Sequence, residues 1–134
     1  MIDYVTSPAG VNVAQLAGGF FEGWASPPTP EEHRLVLERA SHVVLAVEDD
    51  SAVGFVNAIS DGVLTAYVPL LEVLPGHRGR GIGSELVRRL LVEIGPLYMV
   101  DVMCDADVFP FYERLGFHRT GGAVLRNHAW RAQR

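Results

Sequence analysis

Residues 70 to 91 read LLEVLPGHRGRGIGSELVRRLL, and this stretch restricts the fold more than any other part of the chain. An apolar run leads into Gly79, Gly81 and Gly83, which fall within five residues and stand beside Arg78 and Arg80. Beyond them Ile82, Leu86, Leu90 and Ile94 recur every fourth residue, while Glu85, Arg88, Arg89 and Glu93 take the opposite side. The pattern is strand, glycine turn, amphipathic helix. A helix that begins at Gly81 or Ile82 points unpaired N–H groups and the positive end of its dipole at the turn, which makes an anion site. The glycines let the backbone approach a bulky phosphate without a Cβ in the way, and the arginines add charge. A pyrophosphate is the natural guest.

Two familiar phosphate loops do not fit. No lysine follows the glycines as a Walker loop requires. The G-x-G-x-x-G dinucleotide fingerprint is absent, and the preceding strands are linked by hairpins rather than by parallel crossovers. The hairpins are legible in HVVLAVEDDSAVGFVNAIS, where two β-rich runs flank Asp49-Asp50-Ser51, and in the turn Ser60-Asp61-Gly62 that leads to VLTAYVPLLEVLP, a long strand bent or bulged at Pro69. A short edge strand is expected at Ile2–Val5, and Val11–Trp24 reads as a helix of unsettled extent running into a loop. A second helix is expected from Pro30 to Arg39, capped by Thr29 with Glu32 three residues on. LYMVDVMC reads as a further strand. Asp107 is the expected cap of a short helix to Leu115, ended by Gly116, and a last hairpin is expected around Gly121-Gly122.

The chain has 134 residues, 49% hydrophobic, which suits one domain spanning residues 1–134 with a substantial core. Its 11 Lys+Arg against 16 Asp+Glu leave a net charge of −5, so no nucleic-acid or membrane-surface partner is expected and positive charge matters only locally. No run of about 18 apolar residues is present. The single cysteine, Cys104, excludes an internal disulfide and fits a cytoplasmic protein. His33, His42, His118 and His128 show no ligand spacing, so no metal site is expected.

Val73-Leu74-Pro75 followed by Arg78-Gly79-Arg80-Gly81-Ile82-Gly83 resembles the acyl-coenzyme A site of the GNAT family of N-acetyltransferases, whose signature is Gln/Arg-x-x-Gly-x-Gly/Ala. Arg78, Gly81 and Gly83 occupy its three specified positions. PFYERLGF, Pro110 to Phe117, resembles the family's motif after the fifth strand; the two lie about 27 residues apart. The resemblance implies an α+β fold: a mostly antiparallel mixed sheet of six to seven strands flanked by about four helices, with the fourth and fifth strands splayed around acyl-CoA. It implies an acetyl-CoA-dependent transfer to a primary amine of a small molecule, by direct attack in a ternary complex. A protein or peptide N-acetyltransferase and a non-catalytic coenzyme A-binding module are the other classes compatible with it.

The resemblance also distributes roles. Backbone groups around Leu71, Val73 and Leu74 would hold the pantetheine arm, and the segment Arg78, Gly79, Arg80, Gly81, Ile82, Gly83 and Ser84 the pyrophosphate. A backbone N–H near Val73 or Leu74 would stabilise the oxyanion. Tyr112 matches the general acid for the departing thiolate, with packing among Phe109 and Phe111 as its structural alternative. Glu72, the only carboxylate of the long fourth strand, is the candidate base, with Tyr67, Asp61 and Asp101 as rivals. Phe20, Phe21 and Trp24, with Tyr67, are the candidate acceptor contacts, either lining the cleft or simply packing on the sheet. His77 is expected at phosphate or solvent, and Cys104 in the core. Asp105 stands where many relatives carry asparagine, which bears on any side-chain contact to coenzyme A there. A homodimer through exposed strand edges, near AVLRNHAW, is compatible with the family.

Overall fold

The computed structural model describes residues 1–9, 13–16 and 18–134. Its six strands are β1 (Asp3–Val5), β2 (His42–Glu48), β3 (Ser51–Ser60), β4 (Thr65–Val68), β5 (Leu71–Val73) and β6 (Met99–Val102), and its α-helices are α1 (Pro30–Arg39), α2 (Ile82–Ile94) and α3 (Phe109–Glu113). They form one mostly antiparallel sheet in the order β1-β2-β3-β4-β6, with β5 also pairing with β3. Only β4 and β6 run parallel.

Local chemistry accounts for most element ends. Asp49 and Asp50 both have positive φ (51° and 62°), the combination that matches a two-residue hairpin turn to the twist of its strands. The capping box at α1 is complete: Thr29 Oγ1 accepts from the Glu32 N–H at 3.1 Å, and Glu32 Oε1 accepts from the Thr29 N–H at 2.9 Å. Gly95 ends α2 with φ 77°, and its N–H bonds to Leu91 O.

The strand expected from Val63 to Pro75 is cut at Pro69-Leu70 into β4 and β5. Ile59 pairs with Tyr67 and Val56 with Leu71, so three steps along β3 match four along its partner, a β-bulge. Asn57 stabilises the bulge from both sides: its N–H donates to Leu70 O at 3.2 Å, and its buried Oδ1 accepts from the Leu70 N–H at 3.1 Å. Before the bulge β4 pairs with β6, Val68 facing Val102. After it, β5 stays with β3 and no longer pairs with β6.

The sheet has an apolar layer on each face. On one, Ile82, Leu86, Leu90 and Ile94 of α2 pack on Val44, Val56, Ala66 and Val68. On the other, Leu16, Phe21 and Leu37 cover Val43, Leu45 and Phe55.

Three expectations are corrected. The last hairpin is absent: residues 118–128 form no strand and are exposed throughout, because the arm His118-Arg119-Thr120 offers no apolar side chain to bury on the sheet. Arg119 is held by Glu113 (2.9 Å) and over the Phe109 ring, and Arg131, beyond this segment, by Glu32 (2.6 Å) and Pro27 O (3.0 Å). Asp107 does not cap α3. It lies inside a 3₁₀ turn, Ala106–Val108, that runs straight into the helix, and the Val108 and Phe109 N–H groups bond to Asp105 O and Ala106 O instead of to a side chain. Of Val11–Trp24, residues 13–16 form a single 3₁₀ turn rather than a longer helix; the parts of that expectation at positions 11, 12 and 17 lie outside the described residues.

Candidate active site

The register of β3 and β5 decides where the backbone of residues 71–74 points. Leu74 N–H donates to Val53 O at 2.8 Å, so Leu74–Val53 is a hydrogen-bonded pair. By alternation Glu72–Phe55 is the next such pair, while Leu71 and Val73 present their N–H and C=O groups away from β3, toward the gap left by β6. Of the three residues expected at the pantetheine arm, Leu71 and Val73 thus offer backbone groups to the gap, and Leu74 does not offer its N–H. Arg78 Nε donates to Val73 O at 3.1 Å and ties the turn back onto β5.

The glycine turn stands at the head of this gap. Gly79 and Gly81 both have φ 78°, and an added Cβ would meet nothing within 4 Å at either, so backbone conformation rather than crowding calls for glycine. Gly81 is the N-cap of α2, and its C=O accepts the first helical bond, from Glu85. The N–H groups of Ile82, Gly83 and Ser84 have no partner within the helix. At Gly83 a Cβ would touch Phe111 at 3.5 Å, which sets α3 directly against the helix start.

The two arginines behave differently. Arg78 faces the gap, whereas Arg80 donates to Glu48 Oε2 at 3.2 Å, and His77 Nε2 lies 3.1 Å from Glu48 Oε1. These two contacts, Arg80 first, hold the Glu48 carboxyl below its usual range. Glu48 thus braces the basic turn from the far end of β2. The acidic run Glu48-Asp49-Asp50 reads in sequence as a hairpin turn, and only its charge complementarity to the basic knot signals the contact.

Two cavities flank the gap, with α3 between them. One, of about 510 Å³, is lined by Trp24, Glu72, Val73, Arg78, Gly83 and Phe111, with Glu22 and Asp107 also on its walls. The other, of about 1050 Å³, takes in Tyr67, Asp101, Cys104, Tyr112, Phe117 and Gly122. Glu72 and Tyr112 therefore face different cavities.

Glu72 lies on the sheet face of Phe55, and its Oε1 accepts from the Phe21 N–H at 2.8 Å. Burial raises its pKa above the usual carboxylate value, opposed by the Phe21 N–H and the Arg78 charge. Tyr112 is 6% exposed and stands edge-on to Phe111 (5.0 Å) and Phe117 (5.4 Å) rather than among Phe109 and Phe111. Burial, with the nearby Cys104, pushes its hydroxyl up to about 12, so it stays protonated throughout the neutral range. Cys104 is half-buried, and burial with Asp105 and Asp107 raises its pKa, so it is held as the thiol. Asp105 accepts from the Val108 N–H through its main chain and caps nothing with its side chain.

The other candidates separate cleanly. Asp61 Oδ1 accepts from the N–H groups of Val63, Leu64 and Thr65, which makes it a turn brace. Tyr67 and Asp101 pair across β4 and β6 and share the larger cavity. Phe20 and Phe21 join His33 and Phe55 in an aromatic cluster, with Phe21 5% exposed, while Trp24 stays 50% exposed on the cavity wall. Among the described residues no cluster of His, Cys, Asp or Glu could hold a metal ion, and no helix is long and apolar enough to cross a membrane.

Comparison with known proteins places this fold in a family. The acetyltransferase (GNAT) family model matches residues 12–117. The chain is 56% identical to a provisionally assigned acetyltransferase of Deinococcus radiodurans R1 whose crystal structure superposes with a TM-score of 0.91, covering 95% of this chain and 89% of that one. It is 36% identical over 77 residues to GCN5-related N-acetyltransferase 3, chloroplastic, of Arabidopsis thaliana, covering 56% of this chain and 32% of that protein. To histone acetyltransferase TAP1 of Glycine max it is 30% identical over 81 residues, covering 59% of this chain and 35% of that protein. The chain spans about a third of the length of these curated relatives. With the matched region running from the N-terminal segment through the PFYERLGF motif, the chain belongs to the GNAT family of acetyltransferases.

Proposed function

We propose that this protein is an N-acetyltransferase that moves the acetyl group of acetyl-CoA to a primary amine of a small molecule by direct attack. The observation that carries the reading is the bulge at Pro69-Leu70, which parts β5 from β6 and turns the Leu71 and Val73 backbone into a gap headed by the first turn of α2. The N–H groups of Ile82, Gly83 and Ser84, with Arg78, suit the pyrophosphate, and the outward backbone groups of Leu71 and Val73 suit the pantetheine arm and the thioester. The thioester then lies between the strands, where one of these two N–H groups stabilises the developing oxyanion and the other holds a pantetheine amide. Glu72 takes a proton from the acceptor's ammonium, freeing the neutral amine to attack the thioester, a task favoured by a carboxylate made more basic through burial. Tyr112 gives its proton to the leaving thiolate. Holding donor and acceptor together supplies much of the acceleration.

The carboxylates Glu22, Glu72 and Asp107 and the exposed Trp24 ring support a cationic acceptor with an apolar body. A peptide amine is the second reading. It is favoured by the uncovered sheet face beyond Glu72, where Ile59, Tyr67, Met99 and Asp101 are exposed, and by the likeness to a protein described as a histone acetyltransferase. The test is thiol release from acetyl-CoA across small amines, amino acids, polyamines and basic peptides. Turnover confined to small amines supports the first reading, turnover confined to peptides replaces it with the second, and binding without release across the panel leaves a coenzyme A-binding module.

The reading includes a homodimer and a cytoplasmic location. The dimer is supported by the outer edge of β6, which pairs with no strand among the described residues, and by the exposed Val124 and Leu125 (96% exposed). Leu125→Asp is expected to shift the protein to monomer in size-exclusion chromatography with light scattering; an unchanged elution would remove that interface. The location is supported by the lone reduced Cys104.

A further inference from the structure

The loop that crosses over Glu72 enters the left-handed region at four positions. Gly18, Gly19 and Gly23 have φ of 84°, 93° and 85°, and between them Phe21 has φ 60°. Glycine adopts this conformation freely, whereas a residue with a Cβ incurs about 1–2 kcal/mol. The chain therefore uses glycine at every left-handed position of the loop except the one whose N–H meets Glu72. What Phe21 gains from its side chain is anchorage. Its ring lies 4.9 Å from His33, 5.2 Å from Trp24 and 5.9 Å from Phe55, and it is almost fully buried. His33 and Phe55 belong to α1 and β3, so the cluster pins the loop to both the helix and the sheet.

We propose that Phe21 is a positioning residue for Glu72: the aromatic cluster locks its backbone in the left-handed conformation, which aims its N–H at Oε1 and leaves Oε2 as the atom that receives the acceptor's proton. This rests on the reading of Glu72 as the base. Strained backbone maintained by surrounding structure is found where geometry serves function, and here the strain is linked to one hydrogen bond of 2.8 Å. The charged and titratable groups that face the Glu72 carboxylate are Arg78 from the turn after β5, Glu22 from the loop itself and Asp107 from the turn before α3; His33 packs behind Phe21 and is neutral above about pH 4. Arg78 and Asp107 lie outside the loop, whereas Glu22 and the burial of Glu72 change with it, so the hydrogen bond is read at the position-21 amide itself.

The first test uses the unaltered protein. With uniform ¹⁵N label and ¹³C at glutamate Cδ, the Phe21 amide and the Glu72 carboxyl are followed from pH 3 to 8, and Glu72→Gln provides the assignment. The Phe21 amide is expected to titrate with the same midpoint as the Glu72 carboxyl and to lose that titration in Glu72→Gln; a Phe21 amide indifferent to pH would overturn the proposal. Two variants then separate anchorage from the bond. Phe21→Ala loses the ring that holds the strain, so its position-21 amide is expected to lose the titration it shares with Glu72 as the N–H swings away. Phe21→Gly tolerates the left-handed conformation without anchorage and its amide is expected to keep a titration of intermediate amplitude. Equal amplitudes in all three proteins would contradict the inference. The base reading fails separately: if Glu72→Gln releases thiol from acetyl-CoA as fast as the parent with every amine of the panel, Glu72 is not the base, whatever the titrations show.

Discussion

The donor side and the acceptor side of the cleft are built by opposite means. On the proposed donor side the candidate binding groups are mainly main-chain atoms, with Arg78 beside them: the Leu71 and Val73 amides and the first turn of α2, set by a bulge and by two glycines with φ 78°. On the acceptor side they are side chains drawn from distant points of the chain, with Phe21 and Glu72 51 positions apart and His33 and Phe55 behind them. Backbone groups at a helix start need only a short stretch of sequence to specify them. A buried carboxylate aimed by a loop needs the whole sheet.

The sharpest way to break this contrast is at Tyr112, which in the proposed reading acts on the donor through its side chain, as Arg78 does. Tyr112→Phe is expected to lower kcat by about 10²–10⁴-fold, with the calorimetric affinity for acetyl-CoA nearly unchanged. Because burial lifts the hydroxyl to about 12, the parent should show no alkaline limb from Tyr112 in kcat below that region. An unaltered kcat would leave Arg78 as the donor side's one acting side chain.

On the acceptor side, His33 is the weak point in acid. It is 1% exposed, its Nε2 has no partner, and burial lowers its pKa to about 4. Between an unfolded value of about 6.5 and that folded value, the unfolded chain binds the proton and the folded one does not. The stability present above pH 6.5 is therefore lost as pH falls toward 4, by about 3 kcal/mol. Urea midpoints measured against pH for the parent and His33→Leu should diverge over this window; parallel curves would show that the aromatic cluster tolerates the charge.

Gly81→Val tests the backbone rule on the donor side. A β-branched residue at φ 78° incurs about 1–2 kcal/mol, which binding must supply once the free turn relaxes out of the left-handed region, so acetyl-CoA should bind up to about 30-fold more weakly by calorimetry. The smallest effect is expected at Glu48→Gln. It releases Arg80 and His77, but the pair is partly exposed, and the change in acetyl-CoA affinity should stay within about threefold. A larger change would mean that Glu48 shapes the turn as strongly as the glycines do.

The same contrast explains what the sequence discloses. Thr29-Pro30-Glu31-Glu32, Asp49-Asp50, Gly81 and Gly95 are local signals, and each marks an element boundary in the structure. The break at Pro69 was visible as a bend, but its consequence depends on Asn57, twelve positions before Pro69 and silent until β3 and β4 are paired. Phe20 and Phe21 carry no mark in sequence that separates a cleft wall from a core; packing against His33 and Phe55 decides it, leaving Trp24 as the exposed ring. The failed hairpin has the same origin. Gly121-Gly122 is a good turn signal, yet the arm before it, His118-Arg119-Thr120, has no apolar side chain to bury, and the segment stays exposed.

The measurement that tests the account most directly is calorimetric titration with acetyl-CoA and, separately, with S-acetylpantetheine, which lacks the pyrophosphate and nucleotide. The first turn of α2 and Arg78 are held to be the anion site, so acetyl-CoA should bind with one-to-one stoichiometry and at least about 100-fold more tightly, the equivalent of two charge-assisted hydrogen bonds. Equal affinities, or no binding of acetyl-CoA at all, would contradict the assignment of the glycine turn and with it the proposed function.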